Sequence, residues 1–200
     1  MKLFLFLLII FFHFSSYSQT GILPSQQGVH YKKDEASCSS SETQLALPNQ
    51  AGTFPNNVRG YYFTAPIDFC ITGLKVDPTV ATSNQSVAVV KLNQTPPAYS
   101  STTNNFTVLH YSAGVAVGKI IVDIQISQGD IVGILGCGND NCVSSYGSPQ
   151  DYPSAIGGQS VILKRTGMQF NLKTTSPKDM WSEAANINNN LSRVELYYKY

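Results

Sequence analysis

The feature that most constrains the fold of this chain is an apolar alternation with a period of two residues. In the clearest run, one side of the alternation consists of branched apolar residues: Ile120, Val122, Ile124 and Ile126. The opposite side consists of the residues between them: Ile121, Asp123 and Gln125. Because successive strand side chains point to opposite faces of a sheet, this run predicts a half-buried β-strand whose first set faces a core.

Similar patterns predict seven further strands, separated by turn-forming residues. The predicted strands span residues 58–65, 67–76, 86–92, 106–111, 131–137, 160–165 and 191–200. The apolar phase shifts at Gly73, which predicts a β-bulge there. The sequence Gln128-Gly129-Asp130 predicts a hairpin between the strands that contain Ile120 and Ile131. Gly157-Gly158 predicts a second tight turn.

Eight or nine short strands with frequent turns predict an all-β fold over residues 43–200, a two-sheet antiparallel sandwich that is jelly-roll-like. A helix is predicted only over residues 176–186, where Ser176 can cap a helix and Pro177 suits its first position. Trp181 is the sole tryptophan, and we expect it to fill the core beside the last strand.

Residues 1–18 have the organisation of a signal peptide. The almost wholly apolar run over residues 3–14 follows a basic start and is too short to span a membrane. Ser16 and Ser18 are small residues at the positions expected before a cleavage site. We therefore expect cleavage before Gln19, with a membrane anchor as the alternative.

The predicted mature chain begins with a polar, charged stretch over residues 19–42, which we expect to be an extended segment. Beyond it no window is long and apolar enough for a membrane helix, so we expect no membrane insertion. These features together predict a secreted, extracellular protein.

Four cysteines, at positions 38, 70, 137 and 142, bear on the compartment and on the fold. An even number of cysteines in an exported chain predicts two disulfides, for which three pairings exist. We favour Cys137–Cys142, because the four residues between them are turn-forming, and this leaves Cys38–Cys70. A zinc site is the alternative, although neither His30 nor His110 lies at ligand spacing from a cysteine pair.

The low charge of the chain bears on its partners. Asp, Glu, Lys and Arg make up 12% of the residues, and the formal net charge is +1. No run of Lys and Arg exceeds two residues, so we expect no nucleic-acid partner. A surface of neutral hydrogen-bonding groups favours a neutral glycan or a protein surface as the partner, and it is equally typical of an inert domain.

Several sequence blocks resemble those of a known class. The blocks span residues 59–66 (RGYYFTAP), 69–74 (FCITGL), 86–90 (SVAVV), 96–99 (PPAY), 128–136 (QGDIVGILG) and 168–170 (MQF). Over about residues 50–200 the chain resembles exported bacterial β-sandwich surface modules. The resemblance implies the fold and export, but it implies no chemistry, because that class has none assigned.

The sequence offers little to support catalysis. It contains no nucleophile-elbow, phosphate-loop or zinc-protease motif. We expect His110 to be a partly buried structural residue. The carboxylates that a fold could pair for glycoside hydrolysis are Asp68, Asp123, Asp130, Glu183 and Glu195. We therefore predict a protein that is not an enzyme, with a secreted polysaccharide-acting hydrolase as the alternative.

One predicted loop, residues 144–154, is the best candidate ligand site. It places Tyr146 and Tyr152 beside Gln150 and Asp151. Sugars stack their apolar faces on aromatic rings and offer hydroxyls to such polar groups, whereas ordinary surface tyrosines are the alternative interpretation. We predict a secreted non-enzymatic protein with a binding, adhesion or matrix role, and glycan is its candidate ligand.

A second short loop offers ligands for a cation. Asn139, Asp140 and Asn141 supply oxygen atoms within a loop that a disulfide would hold, which suits Ca²⁺, whereas an ordinary turn is the alternative. No other cofactor is expected.

Four N-x-Ser/Thr sequons offer N-glycosylation sites in a eukaryotic secretory pathway: Asn84, Asn93, Asn105 and Asn190. In a bacterial host they would carry no such meaning.

Overall fold

The computed structural model describes residues 38–182 and 190–200. The predicted signal peptide and most of the predicted extended segment, residues 1–37, lie outside the described residues, as do residues 183–189. Within the described ranges the secondary structure is all-β, and no helix is long and apolar enough to cross a bilayer.

Fourteen strands form in the described residues. In chain order they are β1 (Thr43–Gln44), β2 (Gln50–Phe54), β3 (Arg59–Thr64), β4 (Phe69–Val76), β5 (Asn84–Leu92), β6 (Phe106–Ala116), β7 (Ile120–Ile126), β8 (Ile131–Gly138), β9 (Ser144–Gly147), β10 (Asp151–Ile156), β11 (Gln159–Gly167), β12 (Trp181–Ser182), β13 (Leu191–Ser192) and β14 (Val194–Lys199). Each of the eight predicted strands has a counterpart, and the last one divides into β13 and β14.

The strands form three antiparallel sheets that do not close into a barrel. A four-stranded sheet has the order β1-β14-β4-β7, and a three-stranded sheet has the order β13-β9-β2. A seven-stranded sheet has the order β10-β11-β3-β8-β5-β6, with β12 paired to β11. The four- and seven-stranded sheets share one apolar core, so the predicted antiparallel sandwich is confirmed.

The middle strands of the seven-stranded sheet, β3, β8 and β5, are buried on both faces. Alternate residues such as Tyr61 and Val89 face the core shared with the four-stranded sheet. Their neighbours face a second cluster, where Met168, Leu172 and Met180 cover the opposite face. Strands covered on both sides need apolar residues at consecutive positions, which explains the unbroken burial in the middle of β3, β5 and β8.

Strand β7 confirms the clearest sequence pattern. Ile126 is buried and Ile124 is partly buried, whereas Ile121 is 74% exposed.

The predicted bulge at Gly73 is also confirmed. Ile71 and Gly73 of β4 pair with the consecutive residues Tyr198 and Tyr197 of β14, so the residue between them is extra.

The edge strand β6 is irregular as well. Its register against β5 shifts twice, and at both places the additional residue lies on β6. At one of them Gly114 has a φ of 62°, and its amide donates to Ser86 Oγ at 2.9 Å. Bulges of this kind bend a strand and increase its local twist.

The predicted hairpin at residues 128–130 is wrong, although its turn forms. The amide of Asp130 donates to Ser127 O at 3.0 Å, and Gly129 has a φ of 88°. The turn leads from β7 in the four-stranded sheet to β8 in the seven-stranded sheet, because β7 pairs with β4 while β8 is enclosed by β3 and β5. The tight turn at Gly157-Gly158 is confirmed, since both residues have positive φ and the turn joins β10 to β11.

The predicted helix is wrong over its described part, residues 176–182. Trp181 and Ser182 form β12, which pairs with Gly167 and Thr166 of β11. The side chain of Trp181 is fully buried, as expected from the sequence. The rest of the predicted helix lies outside the described residues.

The predicted loop at residues 144–154 is also wrong, because it contains β9 and most of β10. Strand β9 pairs with β2 and β13, and β10 pairs with β11. Its tyrosines therefore extend from strands, which fixes the direction of each side chain.

Both favoured disulfides are present. Cys38–Cys70 joins the start of the described chain to β4 across a Cα–Cα distance of 5.9 Å. Cys137–Cys142 closes the turn that follows β8, with a Cα–Cα distance of 4.8 Å. Residues 38–42, the described part of the predicted extended segment, also contact the last residue of the chain. The amide of Ser40 donates to Tyr200 O at 3.1 Å.

We expect the two disulfides to contribute unequally to stability. The paired substitution Cys38→Ser with Cys70→Ser removes a cross-link over 32 residues, and the matched control, Cys137→Ser with Cys142→Ser, removes one over 5. The chain-entropy model predicts losses of about 3 to 4 kcal/mol and about 2 kcal/mol, measured as free energy of unfolding in denaturant. A larger loss from the control pair would contradict this expectation.

Candidate functional site

One cleft in the described part of the chain lies where the three-stranded sheet meets the end of the seven-stranded sheet. Its volume is about 230 Å³. The lining combines aromatic, hydroxyl, amide and guanidinium groups: Thr53, Phe54, Arg59, Ser144, Tyr146, Arg165, Asn190 and Ser192. Concave sites with a few converging polar groups are the usual places for small ligands.

The two arginines reach the cleft from strands that are otherwise apolar on the same face. Arg59 precedes Tyr61 and Phe63 in the alternation of β3, and Arg165 follows Leu163 in that of β11. Arg59 is 6% exposed and Arg165 is 9% exposed. The inward faces of β3 and β11 thus change from apolar to charged where the shared core ends.

The guanidinium of Arg59 is held from several directions. Its Nη1 donates to Val58 O at 2.9 Å and to Met168 O at 3.0 Å, and its Nη2 donates to Gln169 Oε1 at 3.3 Å. Its Cζ lies 4.5 Å from the ring centre of Phe54 and 4.9 Å from that of Trp181. Such cation–π contacts orient the rings as well as the cation, so Arg59 fixes Phe54 at the cleft.

The polar lining is joined to the framework by further hydrogen bonds. Ser144 Oγ accepts a hydrogen bond from the Arg59 amide at 3.1 Å. The carbonyl of Asn190 accepts from Arg165 Nη1 at 3.4 Å, and Asn190 Oδ1 accepts from Ser148 Oγ at 3.1 Å. These contacts connect β3, β9, β11 and the residue before β13 around one cleft.

The residues of the predicted ligand loop separate in the structure. Tyr146 lines the cleft, whereas Tyr152 packs against the shared core from β10. Gln150 is buried and Asp151 is exposed at the start of β10, and neither belongs to the cleft lining. Of the four named residues Tyr146 alone lines the cleft, together with Ser144, the first residue of the predicted loop.

Sequence reasoning missed the other aromatic ring and both arginines of the cleft. Phe54 lies on the unpredicted strand β2. The available signal was an arginine at an inward position of β3 and another at an inward position of β11, since a charged residue in an apolar alternation requires buried partners.

A second depression, of about 250 Å³, lies beside Tyr62 and Lys164. Burial raises the pKa of Tyr62, and a hydrogen bond between its side chain and that of Ser182 opposes this effect. The two aromatic residues that line it, Tyr62 and Phe63, are both buried. The cleft at Arg59 is the better candidate, because its aromatic residues, Phe54 and Tyr146, are at least partly exposed.

The predicted calcium ligands make hydrogen bonds within the protein. Asn139 Oδ1 accepts from the amides of Thr82 and Ser83, each at 3.0 Å. Asp140 Oδ1 pairs with Lys173, and this contact lowers the pKa of the Asp140 carboxyl. No group of three or more His, Cys, Asp or Glu side chains that could hold a metal occurs within the described ranges. Calcium binding by Asn139, Asp140 and Asn141 stays a prediction.

The four sequon asparagines have different surroundings. Asn93 and Asn105 are exposed, and Asn93 Nδ2 donates to Asn105 Oδ1 at 2.6 Å. Asn84 begins β5, and its Nδ2 donates to Asp140 Oδ1 at 2.6 Å. Asn190 lines the cleft. Glycosylation at these positions remains a prediction.

Most of the candidate carboxylates have structural contacts. Asp68 Oδ1 accepts from the Gln128 amide at 2.6 Å, and Asp123 is exposed on β7. Asp130 forms an ion pair with Lys91 at 2.7 Å. A further ion pair joins Glu195 to Lys75 at 3.4 Å. Glu183 lies outside the described residues.

His110 lies on the edge strand β6. Its Nε2 is 2.9 Å from Ser112 Oγ, and partial burial lowers the pKa of the imidazole. The ring is partly buried, as expected from the sequence.

The fold and cleft define a class: an all-β sandwich protein with two disulfides and a cleft that combines aromatic rings with arginines. Comparison with protein-family models gives no match, and comparison with curated proteins gives none either.

We expect Arg59→Lys to destabilise the fold, because lysine cannot reproduce the planar fork that joins two carbonyl groups and lies against two rings. Loss of buried charged hydrogen bonds predicts a decrease of about 1.5 to 3 kcal/mol in the free energy of unfolding, measured in denaturant. The matched control is Lys164→Arg, an exposed position of β11, where we expect a change within about 0.5 kcal/mol. Equal effects of the two substitutions would contradict the proposed role of Arg59.

Proposed function

We propose that this chain is a secreted, non-enzymatic extracellular β-sandwich protein that binds a neutral glycan in the cleft at Arg59, in an adhesion or matrix role. The observation that carries the proposal is the pairing of two aromatic side chains, Phe54 and Tyr146, with hydroxyl, amide and guanidinium groups around one cleft. Export is supported by the signal-peptide pattern of residues 1–18 and by two disulfides, which persist in oxidising compartments.

The chemistry of the cleft suits a sugar. A pyranose ring has an apolar C–H face that can lie on an aromatic ring, and Phe54 is 37% exposed. Its hydroxyl groups both donate and accept, so polar groups of the lining such as the carboxamide of Asn190 and the hydroxyl of Tyr146 are suitable partners. No net charge on the ligand is required for these contacts.

The fixed position of Phe54 favours binding. Arg59 holds the ring from one side, and the arginine itself is anchored by hydrogen bonds to Val58 and Met168. A site whose groups are already ordered loses less conformational entropy when a ligand binds. Few side chains would then have to rearrange around the sugar.

The proposal is tested by screening protein purified from oxidising expression on a glycan array and by polysaccharide pull-down. We expect at least one neutral glycan to bind, and Tyr146→Ala and Phe54→Ala each to weaken that binding by about tenfold, as expected for a buried aromatic contact. The matched control is Tyr200→Ala, an exposed tyrosine that packs beside the Gly157 turn at the opposite end of β11.

Two results would contradict the proposal. One is the absence of glycan binding by the folded wild-type protein. The other is turnover of a bound polysaccharide that substitution of a carboxylate such as Asp123 or Glu195 abolishes, because that result would identify a hydrolase. Unfolding curves of every variant show whether a loss of binding reflects the cleft or the fold.

A further inference from the structure

A continuous series of aromatic and cationic contacts leads from the cleft to another exposed ring. Phe54 lies against Arg59, and Arg59 lies against Trp181 at 4.9 Å. Trp181 in turn packs edge-on against Tyr99, with ring centres 5.3 Å apart. The two inner members are buried, whereas Phe54 and Tyr99 at the ends are exposed.

Tyr99 is presented on a restrained segment. Its amide donates to Ser182 O at 2.7 Å, and the Ser182 amide donates to Pro97 O at 2.6 Å. Ser182 Oγ also donates to Pro96 O at 2.8 Å. Two consecutive prolines further limit the backbone before Tyr99. The ring is therefore held in place by β12 and by Trp181 while remaining 53% exposed.

The spacing of the two exposed rings limits what could contact both. The three steps measure 4.5, 4.9 and 5.3 Å, so the rings of Phe54 and Tyr99 lie within about 15 Å of each other. Trp181 and Arg59 link the two rings in this series of contacts. A short chain of sugars is long enough to contact both rings.

We infer that the glycan-binding surface extends from the cleft to Tyr99, and that the ligand is an oligosaccharide chain with one sugar in the cleft and a later sugar stacked on Tyr99. This inference rests on the proposed function, and it adds the length of the ligand and a second contact residue. Tyr99 contributes an aromatic face, so its effect requires the ring and not the hydroxyl.

The inference is tested by measuring affinity for two neutral ladders, β-1,4-linked glucose and β-1,4-linked N-acetylglucosamine, from the monosaccharide to the hexasaccharide. We expect wild-type affinity for one ladder to increase with length until both rings are occupied. Tyr99→Ala should lower the affinity for the long members by about tenfold and leave the short members unchanged. Tyr99→Phe should retain wild-type affinity throughout, and Tyr200→Ala is the control for loss of an exposed tyrosine.

The outcomes separate this inference from the proposal on which it rests. If Tyr146→Ala weakens every length and Tyr99→Ala weakens none, the extension to Tyr99 is wrong and the cleft proposal stands. If Tyr99→Ala weakens short and long members equally, the ring acts through the fold, and the extension is wrong as well. If no member of either ladder binds the folded wild-type protein, the inference is overturned for neutral β-1,4-linked chains, while the array decides the proposed function separately.

Discussion

Burial of the middle strands of the seven-stranded sheet, β3, β8 and β5, on both faces is the constraint on which the rest of the structure depends. One face packs on the four-stranded sheet, and the other is covered by Met168, Leu172 and Met180. The middle strands therefore have no face on which a polar group could reach water. Charged side chains of these middle strands can be accommodated only where the covering layers end, and Arg59 of β3 lies at such a place, in the cleft that it shares with Arg165.

Arg59 connects the layers that meet at this end of the sandwich. It extends from β3, donates to the carbonyl of Met168 in the covering segment, and lies between the rings of Phe54 and Trp181. A guanidinium that is held by carbonyl groups and aromatic faces has little conformational freedom. The position of the aromatic rings is consequently set by the packing of the whole sandwich and not by local loop conformation.

The alternation in β7, the bulge at Gly73 and both disulfides could be predicted, because each depends on local spacing or on a small number of pairings. The pairing partner of β7 could not be predicted. The same turn is compatible with a hairpin and with a connection between two sheets, and which one forms depends on the other strands. The helix prediction was wrong for a related reason. The capping sequence at Ser176 favours a helix locally, but the pairing of Trp181 with β11 places this residue in a strand. Of the cleft, only Tyr146 and Ser144 belong to the predicted ligand loop, because strands distant in sequence bring the other groups together.

The irregular edge strand β6 affects whether other copies of this protein can pair with it. A straight terminal strand offers an evenly spaced row of amide and carbonyl groups, onto which a strand of another molecule can add. On β6 two additional residues interrupt this row, one of them beside Gly114, so the hydrogen-bonding groups do not match a regular partner over any long stretch. Copies of this protein at high concentration would thus remain separate molecules at this edge and not join their sheets into fibrils.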